Sequence, residues 1–335
     1  MSSFLDRVRS GEVLVADGAM GTLLFEEGLE PGQCPERMNL ERPDILESIA
    51  RRYLDAGAEI LHTNTFGASA VKLADYGLAE QYQEINRAAV AAARSALAAH
   101  RLAQETVAQG EETTDAAVAT ARSAVGSAAA SATESASRDV YVSCSCGPSG
   151  RILEPYGDTA ETVLYEGFEQ QLGAIVAAGV DLITIETMTD LREAVLAVRA
   201  TRSISPDIPV MATMTFDDTP RGFYTVMGVS VEQAAEGLLE AGADLIGSNC
   251  GNGIETMVRI ARAFAEATDQ PIVIQSNAGL PEIREGRVYF PESPAFFAEK
   301  APELLEAGVS VVGGCCGTTP DHILAIRRVV DERKP

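Results

Sequence analysis

The sequence predicts an α/β fold, a single (β/α)8 TIM barrel, and three observations lead to that prediction. Short apolar runs rich in β-branched residues alternate with longer helical patterns along the 335 residues, which is typical of parallel βα units. The runs number eight, as this kind of barrel requires. Small and polar residues follow the ends of the runs, at the face where such barrels carry their functional sites.

The predicted strands follow one another along the whole chain. Several are preceded by an Ala-Gly phrase, such as Ala56-Gly57 and Ala241-Gly242, in which glycine ends a helix and the strand begins at once. After the last strand, Thr319 as cap and Pro320 at the first helical position start the final helix. The predicted strands are 13–16, 59–63, 140–143, 181–185, 209–214, 244–248, 271–275 and 309–313.

The second βα unit is irregular. Residues 88–137 are dominated by Ala, Ser, Thr, Glu and Gln, and the first part can continue the helix after strand two. Residues from about 103 to 137 are predicted to be an insertion, partly helical and partly mobile, because they offer little apolar surface. A tolerated insertion is the favoured interpretation, and an interaction segment is the alternative. The chain is thus read as one barrel domain, 1–335, with an insertion at about 103–137.

Composition excludes several classes of partner. A net charge of −23 argues against nucleic acid, because phosphate binding needs a basic surface, and against an anionic membrane surface. There is no apolar run of about 18 residues to span a bilayer, and the first residues lack the apolar core of a secretory signal. We therefore expect a cytoplasmic protein, in which the six cysteines are reduced thiols or metal ligands.

Three cysteines indicate a metal site. Cys315 and Cys316 are adjacent at the end of the last predicted strand, and Cys250 ends a similar strand. Three thiolates converging from two strand ends would bind a soft cation such as Zn²⁺ and leave one position open. A structural zinc site and buried free thiols are the alternatives.

The open position and two acids predict the kind of substrate. A substrate thiol that entered the open position would become an electron-rich thiolate, which is suited to attack on a methyl carbon. A zinc site of three thiolates is less suited to activating water, because hydrolytic zinc sites more often have His and carboxylate ligands. Asp17 and Glu186 follow strands one and four at the same mouth, where they could bind an ammonium group. Backbone amides of residues 18–22 could bind a carboxylate. An amino acid that carries a thiol would satisfy all three elements.

These residues resemble the homocysteine S-methyltransferase family. Its three signature segments are similar to Asp17-Gly-Ala-Met-Gly-Thr22, Gly247-Ser-Asn-Cys250 and Gly313-Gly-Cys-Cys-Gly-Thr-Thr-Pro320, and its strand-end motifs to Asn64-Thr-Phe66, Gly147-Pro148 and Glu186-Thr187. The resemblance implies a zinc-dependent barrel that methylates homocysteine to methionine, with zinc ligands Cys250, Cys315 and Cys316. It implies that Asp17 and Glu186 hold the homocysteine amino group, with Gly18 near the carboxylate. Thr65 and Asn249, within the motifs, are the remaining candidate substrate contacts.

The methyl donor is only partly indicated. The chain has no tryptophan, whereas betaine-using members place one beside the quaternary ammonium for cation–π recognition. The runs 214–217, 277–281 and 286–291 resemble the N-terminal homocysteine module of cobalamin-dependent methionine synthase. That resemblance favours methylcobalamin or another methylcorrinoid supplied by another domain or protein and not bound by this chain alone. S-methylmethionine is the main alternative.

Two further hypotheses about the function stay open. In the first, the protein binds zinc or a thiol as a subunit of a corrinoid assembly and does not turn over. In the second, it is an enzyme that acts on a thiol other than homocysteine.

His62 stands where the methionine synthase module often has glutamate, and it is interpreted as a packing or supporting residue rather than a ligand. Cys144 and Cys146 share one strand face and are interpreted as small buried residues. Cys34 has no evident partner in the sequence. The oligomeric state is not indicated.

Overall fold

The computed structural model describes residues 3–108, 138–284 and 287–333. The first part of the predicted insertion, to residue 108, continues a long helix. The rest of it, residues 109–137, lies outside the described residues.

Eight parallel strands form one sheet that closes into a barrel, which confirms the predicted fold class. The barrel strands are β1 Leu14–Val15, β2 Ile60–His62, β3 Tyr141–Cys146, β4 Leu182–Met188, β5 Val210–Met214, β8 Leu245–Asn249, β9 Ile272–Ser276 and β12 Val309–Gly314. Their order in the sheet is β1-β12-β9-β8-β5-β4-β3-β2, and a parallel bridge between Ala16 and Ile60 joins the two ends. The amide of Glu59 donates to the Val15 carbonyl at 2.7 Å across the same closure.

Helices surround the barrel and alternate with its strands. Within the described ranges, none of them combines the length and the apolar composition needed to cross a membrane. The helices are α1 Phe4–Arg9, α2 Met20–Glu26, α3 Met38–Glu41, α4 Pro43–Asp55, α5 Ala70–Leu73, α6 Tyr82–Ala108, α7 Glu161–Ala178, α8 Leu191–Ile204, α9 Val231–Ala241, α10 Ile254–Ala267, α11 Pro294–Glu306 and α12 Pro320–Glu332.

Two short hairpins, absent from the predicted strands, extend the loops at the carboxyl ends of the barrel strands. One pairs β6 Asp217–Thr219 with β7 Gly222–Tyr224 after β5, and the other pairs β10 Glu282–Arg284 with β11 Arg287–Tyr289 after β9. Three-residue strands are too short to show an alternating pattern in the sequence.

The barrel interior changes from apolar to polar along its axis. Near the amino ends of the strands, one apolar cluster draws a buried residue from seven strands, and Phe4 and Val8 of α1 close that end. Because side chains alternate along a strand, the inward positions two and four residues after Leu182 are Thr184 and Glu186. The apolar strand residues of this cluster are Leu14, Ala16, Ile60, Leu182, Met211, Leu245, Val273 and Val311.

A buried ion cluster joins the two ends of the chain below the barrel. Glu59 is 1% exposed, and its two carboxylate oxygens pair with Arg7 of α1 at 2.5 Å and Arg327 of α12 at 2.6 Å. Two cations around one buried anion hold the first and last helices against the start of β2.

We predict that Glu59→Gln lowers the free energy of unfolding by about 1.5–3 kcal/mol, because Arg7 and Arg327 lose the buried carboxylate that they share and keep the partly exposed partners Glu12 and Asp331. Urea unfolding of the parent and the variant measures this loss. The control is Glu41→Gln in the exposed Arg37–Glu41 pair, for which we expect a loss below about 1 kcal/mol. Equal losses in the two variants would contradict a stabilising role for the cluster.

Candidate functional site

Three thiols meet at the carboxyl end of the barrel. Cys250 directly follows β8, and Cys315 and Cys316 directly follow β12. Their sulfur atoms all lie within 4.8 Å of one another, with the Cys250 and Cys316 Sγ atoms 3.8 Å apart. In the part of the chain that the structure describes, no other group of three His, Cys, Asp or Glu side chains meets the same criterion. The cluster could hold a metal ion.

Strand β9 sets the spacing of the thiols, because it lies between β8 and β12 in the sheet. The amide of Cys250 donates to the Gln275 carbonyl at 3.1 Å, and the amide of Cys315 donates to the Ser276 carbonyl at 2.7 Å. Cys250 has φ +60°, a left-handed conformation that costs a non-glycine residue about 1–2 kcal/mol. Neighbouring strand ends therefore bring the sulfur atoms together against a local backbone cost.

The thiols of the cluster differ in pKa. Hydrogen bonds from Cys315 and Cys316 lower the pKa of Cys250 to about 3, and the Asn277 amide acts in the same direction. The contact with Cys250 raises the pKa of Cys316 to about 12. One thiolate is thus stabilised by its neighbours, and a bound metal would displace the protons of the other two thiols.

The carboxylate of Glu186 lies within β4, facing this same end of the barrel. It accepts hydrogen bonds from the Ser145 hydroxyl and, at 3.1 Å, from the side-chain amide of Asn249. Burial raises the pKa of Glu186, and the nearby His62 and the Ser145 hydrogen bond oppose that rise. The acid is therefore held in place by two donors but keeps unused acceptor capacity.

Asp17, the second predicted acid, is 3% exposed just beyond β1. One oxygen accepts from the backbone amide of His62 at 2.8 Å, and the other lies 2.6 Å from Nδ1 of the same residue. Burial alone would lower the pKa of His62, but the charges of Asp17 and Glu186 and the hydrogen bond to Asp17 outweigh it, so that the pKa is raised. The sequence predicted only that His62 packs or supports the site. The structure gives it a specific partner, Asp17.

Asn249 connects the acids to the thiols. Its Nδ2 lies 3.1 Å from Glu186 Oε2, 2.8 Å from Thr187 Oγ1 and 3.8 Å from Cys315 Sγ. Its Oδ1 accepts from the Thr187 amide and from the Thr213 hydroxyl, both at 2.7 Å. The side chain is fully buried. A direct substrate contact by Asn249 stays a prediction.

Gly18 and Thr65, the other predicted substrate contacts, are closely surrounded by protein. A Cβ on Gly18 would lie 2.5 Å from Thr318 Oγ1 and 3.0 Å from the Tyr53 hydroxyl, so only glycine fits. The Thr65 hydroxyl donates to the Ser145 carbonyl at 2.7 Å and has no exposed surface. A substrate contact by either residue stays a prediction, and Thr65 is placed to support the strand that carries Ser145.

A family model described as homocysteine S-methyltransferase matches residues 14–330. The chain belongs to this family. It is 31% identical over 331 residues to a methionine synthase from Mycobacterium leprae (strain TN), and 32% identical over 336 residues to one from Mycobacterium tuberculosis (strain ATCC 25618 / H37Rv). These matches cover 95% and 96% of this chain but 24% and 25% of the relatives, so the chain spans about a quarter of their length.

Solved structures support the fold assignment. The metallated form of the homocysteine methyltransferase MmuM from Escherichia coli matches with a TM-score of 0.70 at 21% identity, covering 95% of this chain and 96% of that one. Its oxidized form matches with a TM-score of 0.71 at 21% identity, covering 97% and 98%. At about 21% identity, this likeness shows that the protein and MmuM share the barrel architecture.

The other cysteines of this family member lie apart from the cluster. Cys144 and Cys146 are buried, and burial raises the pKa of both thiols, which agrees with their interpretation as small buried residues. The Cys34 thiol donates to a Glu36 carboxylate oxygen at 3.2 Å, a partner that the sequence did not reveal.

Several site residues were missed by the sequence analysis as functional candidates. Ser145, Thr184 and Thr213 each contact a predicted site residue or its partner. Counting inward positions in steps of two from the apolar layer reaches Thr184 from Leu182 and Thr213 from Met211. Asn277, which acts on Cys250, lies past the end of β9, where alternation no longer applies.

We predict that Cys250→Gly is more stable to unfolding than Cys250→Ala, by about 1 kcal/mol in metal-free protein, because glycine adopts φ +60° without the penalty that alanine meets. Both variants lack the thiol, so the comparison isolates the backbone. Urea unfolding in the presence of a chelator measures the difference. An alanine variant as stable as the glycine variant would show that position 250 is not strained.

Proposed function

We propose that this protein is a zinc-dependent S-methyltransferase that converts homocysteine to methionine. The observation that carries the proposal is the meeting, at one end of the barrel, of three thiols within 4.8 Å and two buried carboxylates. One group suits a soft metal and the other suits an ammonium ion. Membership of the homocysteine S-methyltransferase family supports an amino acid that carries a thiol as the substrate.

The donor set fits zinc. Cys250, Cys315 and Cys316 offer three sulfur ligands, the number that leaves a tetrahedral zinc one open position. When bound, zinc would lower the pKa of a thiol in that position, so that the substrate sulfur is a thiolate at neutral pH. A metallated form is known of the homocysteine methyltransferase MmuM from Escherichia coli, which shares the barrel architecture.

The protein's own residues bind and orient the substrate. Glu186 and Asp17 would accept hydrogen bonds from the homocysteine ammonium group, since both carboxylates keep lone pairs beyond the donors they already have. The first turn of α2 begins two residues after Gly18 and presents backbone amides without intrahelical acceptors to the substrate carboxylate. The transfer forms a bond between the homocysteine sulfur and the methyl carbon while the bond from methyl to its donor breaks.

A methylcorrinoid such as methylcobalamin, held by another domain or protein, is the proposed methyl donor. The similarity to methionine synthases about four times as long supports a donor carried by a separate part of an assembly. Cys316 is the exposed member of the thiol cluster, so the cluster is open on one side. S-methylmethionine would need no partner protein, and the experiment below separates the two donors.

We predict that zinc-loaded protein forms methionine from homocysteine and methylcobalamin, and that Cys316→Ser loses zinc and methyl transfer together. A thiolate ligand is removed in that variant, and its hydroxyl replacement is not a zinc ligand of comparable softness. Methionine formation is measured by mass spectrometry, and zinc content by elemental analysis after dialysis against a chelator.

The control is Cys34→Ser, in which a hydroxyl can still donate to Glu36 and both zinc and activity should be retained. Parallel assays use S-methylmethionine and betaine in place of methylcobalamin. Methionine from S-methylmethionine alone would overturn the corrinoid assignment but keep the transferase. A Cys316→Ser variant with full activity and no zinc would overturn the mechanism.

We predict that Glu186→Gln weakens homocysteine binding roughly 10–100-fold, the effect of losing one charge-assisted hydrogen bond to the ammonium group. Isothermal titration calorimetry on zinc-loaded protein measures this. Binding of 4-sulfanylbutanoate, which has the thiol and carboxylate but no amine, should be the same in parent and variant.

A matched control is Glu193→Gln, since Glu193 is also a buried acid but accepts from the Ser149 backbone. We expect that variant to bind homocysteine as the parent does. If Glu186→Gln weakened the amine-free compound as much as homocysteine, Glu186 would not be the ammonium site.

A further inference from the structure

His62 is a buried base whose two ring nitrogens both have partners in the barrel interior. Nδ1 lies 2.6 Å from Asp17 Oδ1, and Nε2 lies 3.1 Å from Thr184 Oγ1. The ring therefore connects the segment after β1 with β4, directly beside the acids assigned to the substrate amine.

A chain of contacts links the ring to β3 and permits a proton on both ring nitrogens. The Ser143 hydroxyl lies 3.1 Å from the Cys144 carbonyl and 2.7 Å from Thr184 Oγ1, and either hydroxyl can donate in the second contact. When Ser143 donates to the Cys144 carbonyl, Thr184 donates to Ser143, and the Thr184 oxygen is then an acceptor for a protonated His62 Nε2.

The other ring nitrogen faces a carboxylate. An ionised Asp17 can only accept, so Nδ1 donates as well. With the Thr184 oxygen accepting from Nε2 and Asp17 accepting from Nδ1, both ring nitrogens carry a proton and the ring is an imidazolium ion.

The charges around the ring agree with this state. The charges of Asp17, from the segment after β1, and of Glu186, from β4, act on His62, and β3 places the neutral Ser143 hydroxyl beside Thr184. Both charges act to raise the pKa of His62. Two carboxylates and one imidazolium leave one net negative charge, which one ammonium group would neutralise.

We propose that His62 is a positioning residue, an imidazolium that fixes both oxygens of Asp17 and sets the charge of the acid pair to match a single substrate ammonium group. The proposal rests on the proposed function, in which that ammonium binds to Asp17 and Glu186. Without the imidazolium, two neighbouring carboxylates would take up a proton, and this proton would have to leave before the ammonium could bind.

Nuclear magnetic resonance tests the protonation without any turnover. The chain has three histidines, so the ¹⁵N ring signals of His62 are assigned by their loss in His62→Asn. We expect both His62 nitrogens to carry protons at pH 6.5 and to titrate above that pH. His322, whose pKa burial lowers, should titrate below it. Thr184→Val, which removes the acceptor for Nε2, should lower the pKa of His62.

Binding tests the positioning role. In His62→Asn, the amide Nδ2 can replace the Nδ1 donor to Asp17 but carries no charge. We expect homocysteine to bind about tenfold more weakly at pH 6.5, as for the loss of a charge-assisted contact, with unchanged zinc content. The difference from the parent should shrink as pH rises through the pKa of His62, where the parent also loses the imidazolium. 4-Sulfanylbutanoate should bind the two proteins equally.

Stability provides a second readout with a defined sign. Because the folded pKa of His62 is raised, the stabilisation from its imidazolium is complete below the unfolded value, about 6.5, and is lost as pH rises through the folded value. The difference in free energy of unfolding between parent and His62→Asn should therefore be largest below about pH 6.5 and should shrink as pH rises through the folded pKa of His62.

The outcomes separate this proposal from the proposed function. A neutral His62 at pH 6.5, or equal weakening of homocysteine and the amine-free compound, would overturn the role of His62 even in an active methyltransferase. An imidazolium with the binding pattern above would support it even if no donor gave methionine.

Discussion

The side-chain amide of Asn249 is the contact on which the candidate site depends. Within one buried group it joins the Glu186 carboxylate to the thiol of Cys315 and holds Thr187 in a left-handed conformation, φ +61°. Both amide atoms have partners, which offsets the cost of burying them. The distance between Glu186 and the thiols is therefore set by the barrel strands β4 and β8, which carry Glu186 and Asn249.

The charges of the candidate site lie at one end of the barrel interior. Apolar side chains fill the layer near the amino ends of the strands, and Asp17 and Glu186 are themselves buried, so the two acids are largely shielded from solvent. Asp17, Glu186 and a Cys250 thiolate together would concentrate negative charge at this end of the barrel, and His62 is the base that lies beside Asp17. Such a region would attract further cations, and the proposed function supplies two of them at separate places, a metal at the thiols and an ammonium group at the acids.

The sequence predicted the barrel because the alternation of eight strands with helices is a long-range pattern that survives errors at each boundary. All eight predicted strands overlap observed ones, although β3 reaches Cys146 and β4 reaches Met188 beyond the predicted ends. The grouping of Cys250 with Cys315 and Cys316 was predictable because the carboxyl ends of parallel strands meet at one face. The partners of Asn249 and His62 were not, since hydrogen bonds across four strands depend on side-chain directions that motifs do not encode.

Access to the thiols constrains how a methyl group could arrive. Cys316 is exposed while Cys250 and Cys315 are half-buried, so an incoming donor would meet the cluster from the Cys316 side. The turn that carries this cysteine is fixed from outside by Phe290. Its ring would lie 2.1 Å from a Cβ at Gly317, where φ is +78° and only glycine fits. Because Phe290 directly follows β11, the second hairpin leads into the residue that packs against the turn of Cys316, so a change in the position of this hairpin would also act on the thiol that a donor meets first.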